Sequence, residues 1–114
     1  MEIKIQIPEN AEMLKKELDD YFKESFTIYD PATDRNILLQ AETQEVTNKT
    51  QGDETYTVYK VKLNMNLTQE QIISLKHKLI DLGHYLIIGM GLPINEGANP
   101  ELFDTIYLIP IINS

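Results

Sequence analysis

From Thr55 to Asn66 the chain carries its cleanest alternation: Tyr59, Val61, Leu63 and Met65 fall on one side, and Lys60, Lys62, Asn64 and Asn66 on the other. A period of two sends successive side chains to opposite faces of an extended strand, so this segment predicts a sheet with one buried and one wet face. The period then changes. Thr68 and Gln71 stand three apart as a capping-box pair, Leu67 and Ile72 occupy the positions of a hydrophobic staple, and Ile72, Leu75, Leu79 and Leu82 recur at helical spacing up to Gly83. A strand that passes into a capped amphipathic helix this abruptly requires helix layered on sheet, because neither apolar face can be left to water.

The same switch occurs near the N-terminus. Ile3, Ile5 and Ile7 alternate with Glu2, Lys4 and Gln6 as an inward-facing strand would, and Pro8, Glu9 and Glu12 open a helix carrying Ala11, Leu14, Leu18, Tyr21 and Phe22 to about residue 24. Residues 26–29 form a short extended piece, Pro31 sets a turn at 30–34, and 36–46 continue as a strand through Ile37, Leu39 and Ala41. Residues 47–54 hold Asn48, Gly52 and Asp53 without a large apolar group, which marks a mobile surface connection. Beyond Gly83 come a short apolar strand at 84–88, a loop at 89–100 and a strand at 102–112 that is apolar on both faces.

This order predicts one α+β domain over residues 1–114. The expected architecture is a ferredoxin-like βαββαβ two-layer sandwich, an antiparallel sheet with two helices on one face, plus an extra C-terminal strand. Segments 85–88 and 106–112 are too apolar to be half exposed, so they belong in the middle of the sheet or under a second copy of the chain, and a homodimer is expected.

The formal net charge is −8, and it is uneven: residues 1–54 carry 13 acidic against 6 basic side chains, residues 55–114 carry 5 against 4. Phosphate backbones and anionic lipid surfaces repel such a chain, so neither nucleic acid nor membrane is an expected partner. The apolar run from Tyr85 to Leu92 is far below the roughly twenty residues of a membrane span, and the N-terminus lacks the apolar stretch of a signal peptide. With no cysteine in the chain, a cytoplasmic location is expected.

The absence of cysteine also excludes thiol nucleophiles and soft metal sites. His77 and His84 have no partner at metal-ligand spacing, and no stretch has the alternate ligands and central glycine of a calcium loop, so neither metal nor other cofactor is expected. Turn carboxylates such as Asp30, Asp34, Glu42, Glu45, Asp53 and Glu54 are solvated and poorly suited to acid–base work, and Ser25 and Ser74 lack a nucleophile elbow. Gly89-Met90-Gly91 has the composition of a phosphate-binding turn, yet Leu92-Pro93-Ile94 opens no helix behind it. An enzyme is therefore not expected. Six tyrosines against no tryptophan suit either an interface or plain strand formation.

The leading functional expectation is a non-enzymatic protein-interaction module, an acidic inhibitor, immunity factor or adaptor that meets a protein of basic surface. Contact would run through the acidic N-terminal half and the loop at 89–101. The alternative is a small-ligand, metabolite-binding protein whose pocket lies between helices and sheet or at a dimer seam, lined by Tyr85, Met90 and Phe103 with His84 as its polar handle. The candidate contact residues are His84, Tyr85, Gly89, Met90, Gly91, Asn95, Glu96 and Phe103.

Overall fold

The long alternating strand is the axis of the architecture in the computed structural model, which describes residues 3–23, 26–31, 33–91 and 102–111. In chain order the elements are β1 (Ile3–Gln6), α1 (Ala11–Lys23), β2 (Thr27–Asp30), β3 (Arg35–Leu38), β4 (Ala41–Gln51), β5 (Glu54–Thr68), α2 (Gln69–Leu82), β6 (Tyr85–Gly91) and β7 (Leu102–Pro110). Five strands form an antiparallel sheet in the order β1-β4-β5-β7-β6, and β2 pairs with β3 in a separate two-stranded ribbon.

Along β5 the expected alternation holds: Tyr59, Val61 and Leu63 are buried, Met65 packs against the core, and Lys62, Asn64 and Asn66 are exposed. Leu18 and Phe22 of α1 and Ile72, Leu75 and Leu79 of α2 join those strand residues in one core. Both helices thus cover the same face, α1 against β4 and α2 against β6 and β5. The start of α2 is the expected capping box: Thr68 Oγ1 accepts from the Gln71 amide at 3.2 Å, and Gln71 Oε1 accepts from the Thr68 amide at 2.9 Å. Gly83 ends the helix at φ +80°, a left-handed conformation in which a side chain would be strained.

The ferredoxin-like expectation is overturned. In a βαββαβ layout the first strand lies in the interior of a single four-stranded sheet, whereas here β1 is an edge strand of a five-stranded sheet and β2 and β3 pair apart from it. The place beside β5 goes to β7, whose Ile106 and Leu108 are fully buried and which β1, four residues long, cannot match. Residues 106–110 therefore take the protected interior of the sheet that their apolarity demanded.

Ile5 and Ile7 do not face the core. Ile5 pairs with Lys49 on the side of the sheet away from the helices, and the two isoleucines are 62% and 77% exposed. Residues 36–46 are two strands rather than one. The chain leaves the small ribbon at Leu39, whose amide donates to the Phe26 carbonyl at 2.7 Å, and enters the large sheet through Gln40, whose amide donates to Asn64 Oδ1 at 2.9 Å. Residues 47–54 are ordered hairpin rather than loop, because Thr57 donates to Asn48 and Thr50 meets Thr55 across the ladder, leaving Gly52 and Asp53 as the turn. Gly52 has φ +64°, as the first central position of a II′ hairpin requires. Leu82, expected in the buried stripe, is exposed at the end of α2.

One polar contact fixes α1 on the sheet. Asp19 Oδ1 accepts from the Thr43 amide at 2.7 Å and from its hydroxyl at 2.8 Å, at the bulge between Thr43 and Glu45. Thr43 is buried, so removing its acceptor strands two donors away from water. Asp19→Ala is expected to lower unfolding free energy by about 1–3 kcal/mol in urea titration. Lys16→Ala, which removes an exposed ion pair to Asp20, should change it by less than about 1 kcal/mol.

Candidate functional site

The residues expected to form a contact site are divided between the two ends of β6. His84 and Tyr85 lie at its start, with Tyr85 opposite Pro110; Met90 and Gly91 lie at its far end, opposite Ile106 and Thr105. Five steps along an extended strand separate Tyr85 from Met90, roughly 17 Å, so these side chains do not line one pocket with Phe103. Phe103 pairs with Leu67 and packs on the core. Asn95 and Glu96 lie outside the described residues, as does most of the 89–101 segment.

At the His84 end the structure assembles an aromatic cluster that periodicity alone does not reveal. The ring of Tyr21 from α1 lies 5.1 Å from Tyr85, 5.4 Å from Phe26, 5.8 Å from His84 and 6.0 Å from Phe22, and Tyr85 lies 5.8 Å from Tyr59. Edge-on geometry of this kind packs large apolar area tightly. The Tyr21 hydroxyl is buried without a hydrogen-bond partner among the described residues. Burial raises the phenol pKa of Tyr21 and Tyr59, and burial with Tyr59, Glu17 and Tyr21 nearby pushes Tyr85 up to about 12. These phenols stay neutral at ordinary pH.

Gly89 and Gly91 belong to β6 and not to a loop. A Cβ on Gly89 would sit 3.6 Å from the Tyr107 ring, and one on Gly91 would sit 3.4 Å from Thr105 Cβ and 3.9 Å from the Tyr107 ring, which are ordinary contacts. The two glycines leave a bare stretch of strand beside an aromatic from β7.

β6 is also the outermost described strand on its side of the sheet. Its sequence, YLIIGMG, carries no charge and no proline, two of the devices that blunt a sheet edge, and its ladder to β7 shifts register between Ile87 and Gly89. At the opposite edge β1 is shorter and carries Lys4. Ile88 and Met90 of β6 are 52% and 38% exposed, and Ile73 and Ile80 of α2 are 44% and 43% exposed. The direction of that helix flank follows from its contacts. Gln71 Nε2 donates to the Tyr29 carbonyl at 3.0 Å and Lys78 Nζ stands 5.6 Å above the Phe26 ring, so the 71/78 flank faces β2 and the segment after α1. Ile73 and Ile80 each lie two residues further on, about 200° around the helix, and so face the β6 edge. The apolar helix flank thus lies on the side of α2 away from β2, and α2 packs against the uncharged strand.

Large apolar side chains are exposed elsewhere too, among them Ile5, Ile7, Met13, Tyr29 and Leu38. An open cleft of about 600 Å³ between α1 and β4 is lined by Glu12, Asp19, Asp20 and Glu42 together with Lys15, Lys16 and Lys23. Its charges are largely matched: Lys15 meets Glu12 at 3.3 Å and Lys16 meets Asp20 at 3.0 Å, holding the Asp20 carboxyl below its ordinary pKa. A second cleft, of about 440 Å³, runs between β2 and the start of α2 past Tyr29, Gln71 and Lys78. Among the described residues there is no group of three His, Asp or Glu that could hold a metal ion, and no helix long and apolar enough to cross a membrane. Comparison with known proteins finds no matching family, no similar curated protein and no similar solved structure.

The tyrosine cluster makes the protein sensitive to alkali in a stated direction. The folded pKa of Tyr85 lies above the unfolded value of about 10, so its contribution is complete below that pH and is lost as pH rises through about 12. Stability should fall across this window as phenolate absorbance grows, and Tyr85→Phe should move the alkaline unfolding midpoint upward.

Proposed function

We propose that this chain is a non-enzymatic protein-interaction module whose docking surface is the β6–α2 border. The observation that supports it is the coincidence of an uncharged strand, outermost among the described residues, with an exposed Ile73/Ile80 flank on the helix beside it. A strand edge offers a row of amides and carbonyls to a partner backbone, and the flanking isoleucines supply apolar area that backbone pairing lacks. Inhibitors and adaptors that act by steric occupation need nothing more. The acidic N-terminal half is a weaker candidate for the contact, since Glu12 and Asp20 of α1 are paired with the lysines of the same helix.

The test is capture from native lysate with the wild-type chain and with Ile73→Glu/Ile80→Glu, compared by quantitative mass spectrometry after both variants are shown to be folded. The expected result is a protein retained by the wild type, lost from the variant, and still held in about 1 M salt, where screening reduces the Debye length to about 3 Å. An identical set of proteins on both baits, or release by salt alone, would overturn the assignment of this border.

A further inference from the structure

We infer that the β6–α2 border is self-complementary: two copies of the chain pair β6 to β6 antiparallel and α2 to α2 about a two-fold axis, giving a continuous ten-stranded sheet. The inference rests on the border being a docking surface and names the polypeptide that occupies it.

Three features select a second copy over a foreign strand. The first is that the border has two layers. An isolated extended peptide could complete the hydrogen bonds of β6 but would leave Ile73 and Ile80 bare. A second copy carries the same helix at the same height above the same strand. A two-fold axis through the β6 ladder lays α2 against its counterpart on the same side of the sheet, with Ile73 of one copy near Ile80 of the other.

The second feature is charge. Two chains of net charge −8 repel, yet β6 carries no charge and α2 balances Glu70 and Asp81 with Lys76 and Lys78. Approach along this border brings the least like charge together, because the acidic excess lies in residues 1–54. Lys76 falls between Ile73 and Ile80 on the helix, where its long stem can cover apolar surface while the ammonium reaches the rim.

The third feature is area. Seven strand residues and fourteen helix residues extend roughly 23 and 21 Å. A border of that length and two layers deep buries about 600 Å² per copy, at the lower end of stable interfaces. A strand alone would give about half, too little for a lasting complex.

Sedimentation velocity over a concentration series up to about 100 µM is the experiment, with wild type, Ile88→Lys, Ile73→Glu/Ile80→Glu and, as a control on the opposite edge, Ile5→Lys. All the substituted side chains are exposed, and circular dichroism confirms the fold of each. The wild type and Ile5→Lys are expected to dimerise, and the two border variants to self-associate about a hundredfold more weakly or worse, since each buries an unpaired charge at the seam. Because the chain has no cysteine, Ile88→Cys adds a covalent readout that does not weaken the border: mild oxidation should link two copies, and Ile5→Cys should not link. A wild type that stays monomeric, or a dimer that survives both border variants, overturns the inference. A monomer whose border still captures a foreign protein would remove self-pairing and leave the interaction module standing. A border-dependent dimer that captures nothing else would do the reverse.

Discussion

Only one face of the five-stranded sheet is covered by helices, and the burial of Tyr59, Val61, Leu63 and Leu67 on that face of β5 organises everything else. Both helices pack against it, so the segments leading into and out of them must deliver apolar side chains to the same side. Leu39 does so where the chain crosses from the ribbon to the sheet, and Ile106 and Leu108 do so from β7. Apolar residues that the register sends to the other face or to the edges have no helix to cover them. Ile5, Ile7, Ile88 and Met90 are exposed for that reason and not through any local defect.

Local chemistry was legible where it is local. Thr68, Gln71 and Gly83 satisfy or close a helix by bonds that span three or four residues, so their types and spacing suffice. Burial along β5 was legible because both its neighbours are long and its inner face sits beneath helices. Register across the sheet was not. Alternation at Ile3, Ile5 and Ile7 declares an apolar face but not which side of the sheet it meets, and pairing with the far end of β4 turned Ile5 outward. The tyrosine cluster escaped for a similar reason: Tyr21, Tyr59 and Tyr85 come from three elements, and nothing in their spacing announces that they meet. The ferredoxin-like expectation failed because element order constrains sheet order weakly when a hairpin, β2–β3, is inserted after the first helix.

The glycines of β6 show how composition misleads without position. In a loop before a helix, Gly89 and Gly91 would suggest an anion site; here they belong to an edge strand beside Tyr107, where a Cβ would make only ordinary contacts. The same substitution of hydrogen for side chain thins the barrier between the β6 ladder and any incoming strand. Charge was legible as a sum but not as a pattern: the excess of acids in the N-terminal half coexists with lysines paired along α1, while the neutral second half supplies the border.

The two-residue turn at Gly52 and Asp53 has a consequence for the order in which contacts close. It joins strands whose first rungs, Gln51 with Glu54 and Thr50 with Thr55, need almost no chain to be looped, whereas Ile3 must find Gln51 across 48 positions. Each doubling of loop length adds only about 0.6 kcal/mol of closure entropy, but several doublings separate these ladders, and the β1 ladder is just four rungs long. The long hairpin can therefore zip from its tip as a template, and the N-terminal strand is the last piece of the sheet to arrive and the first to peel away.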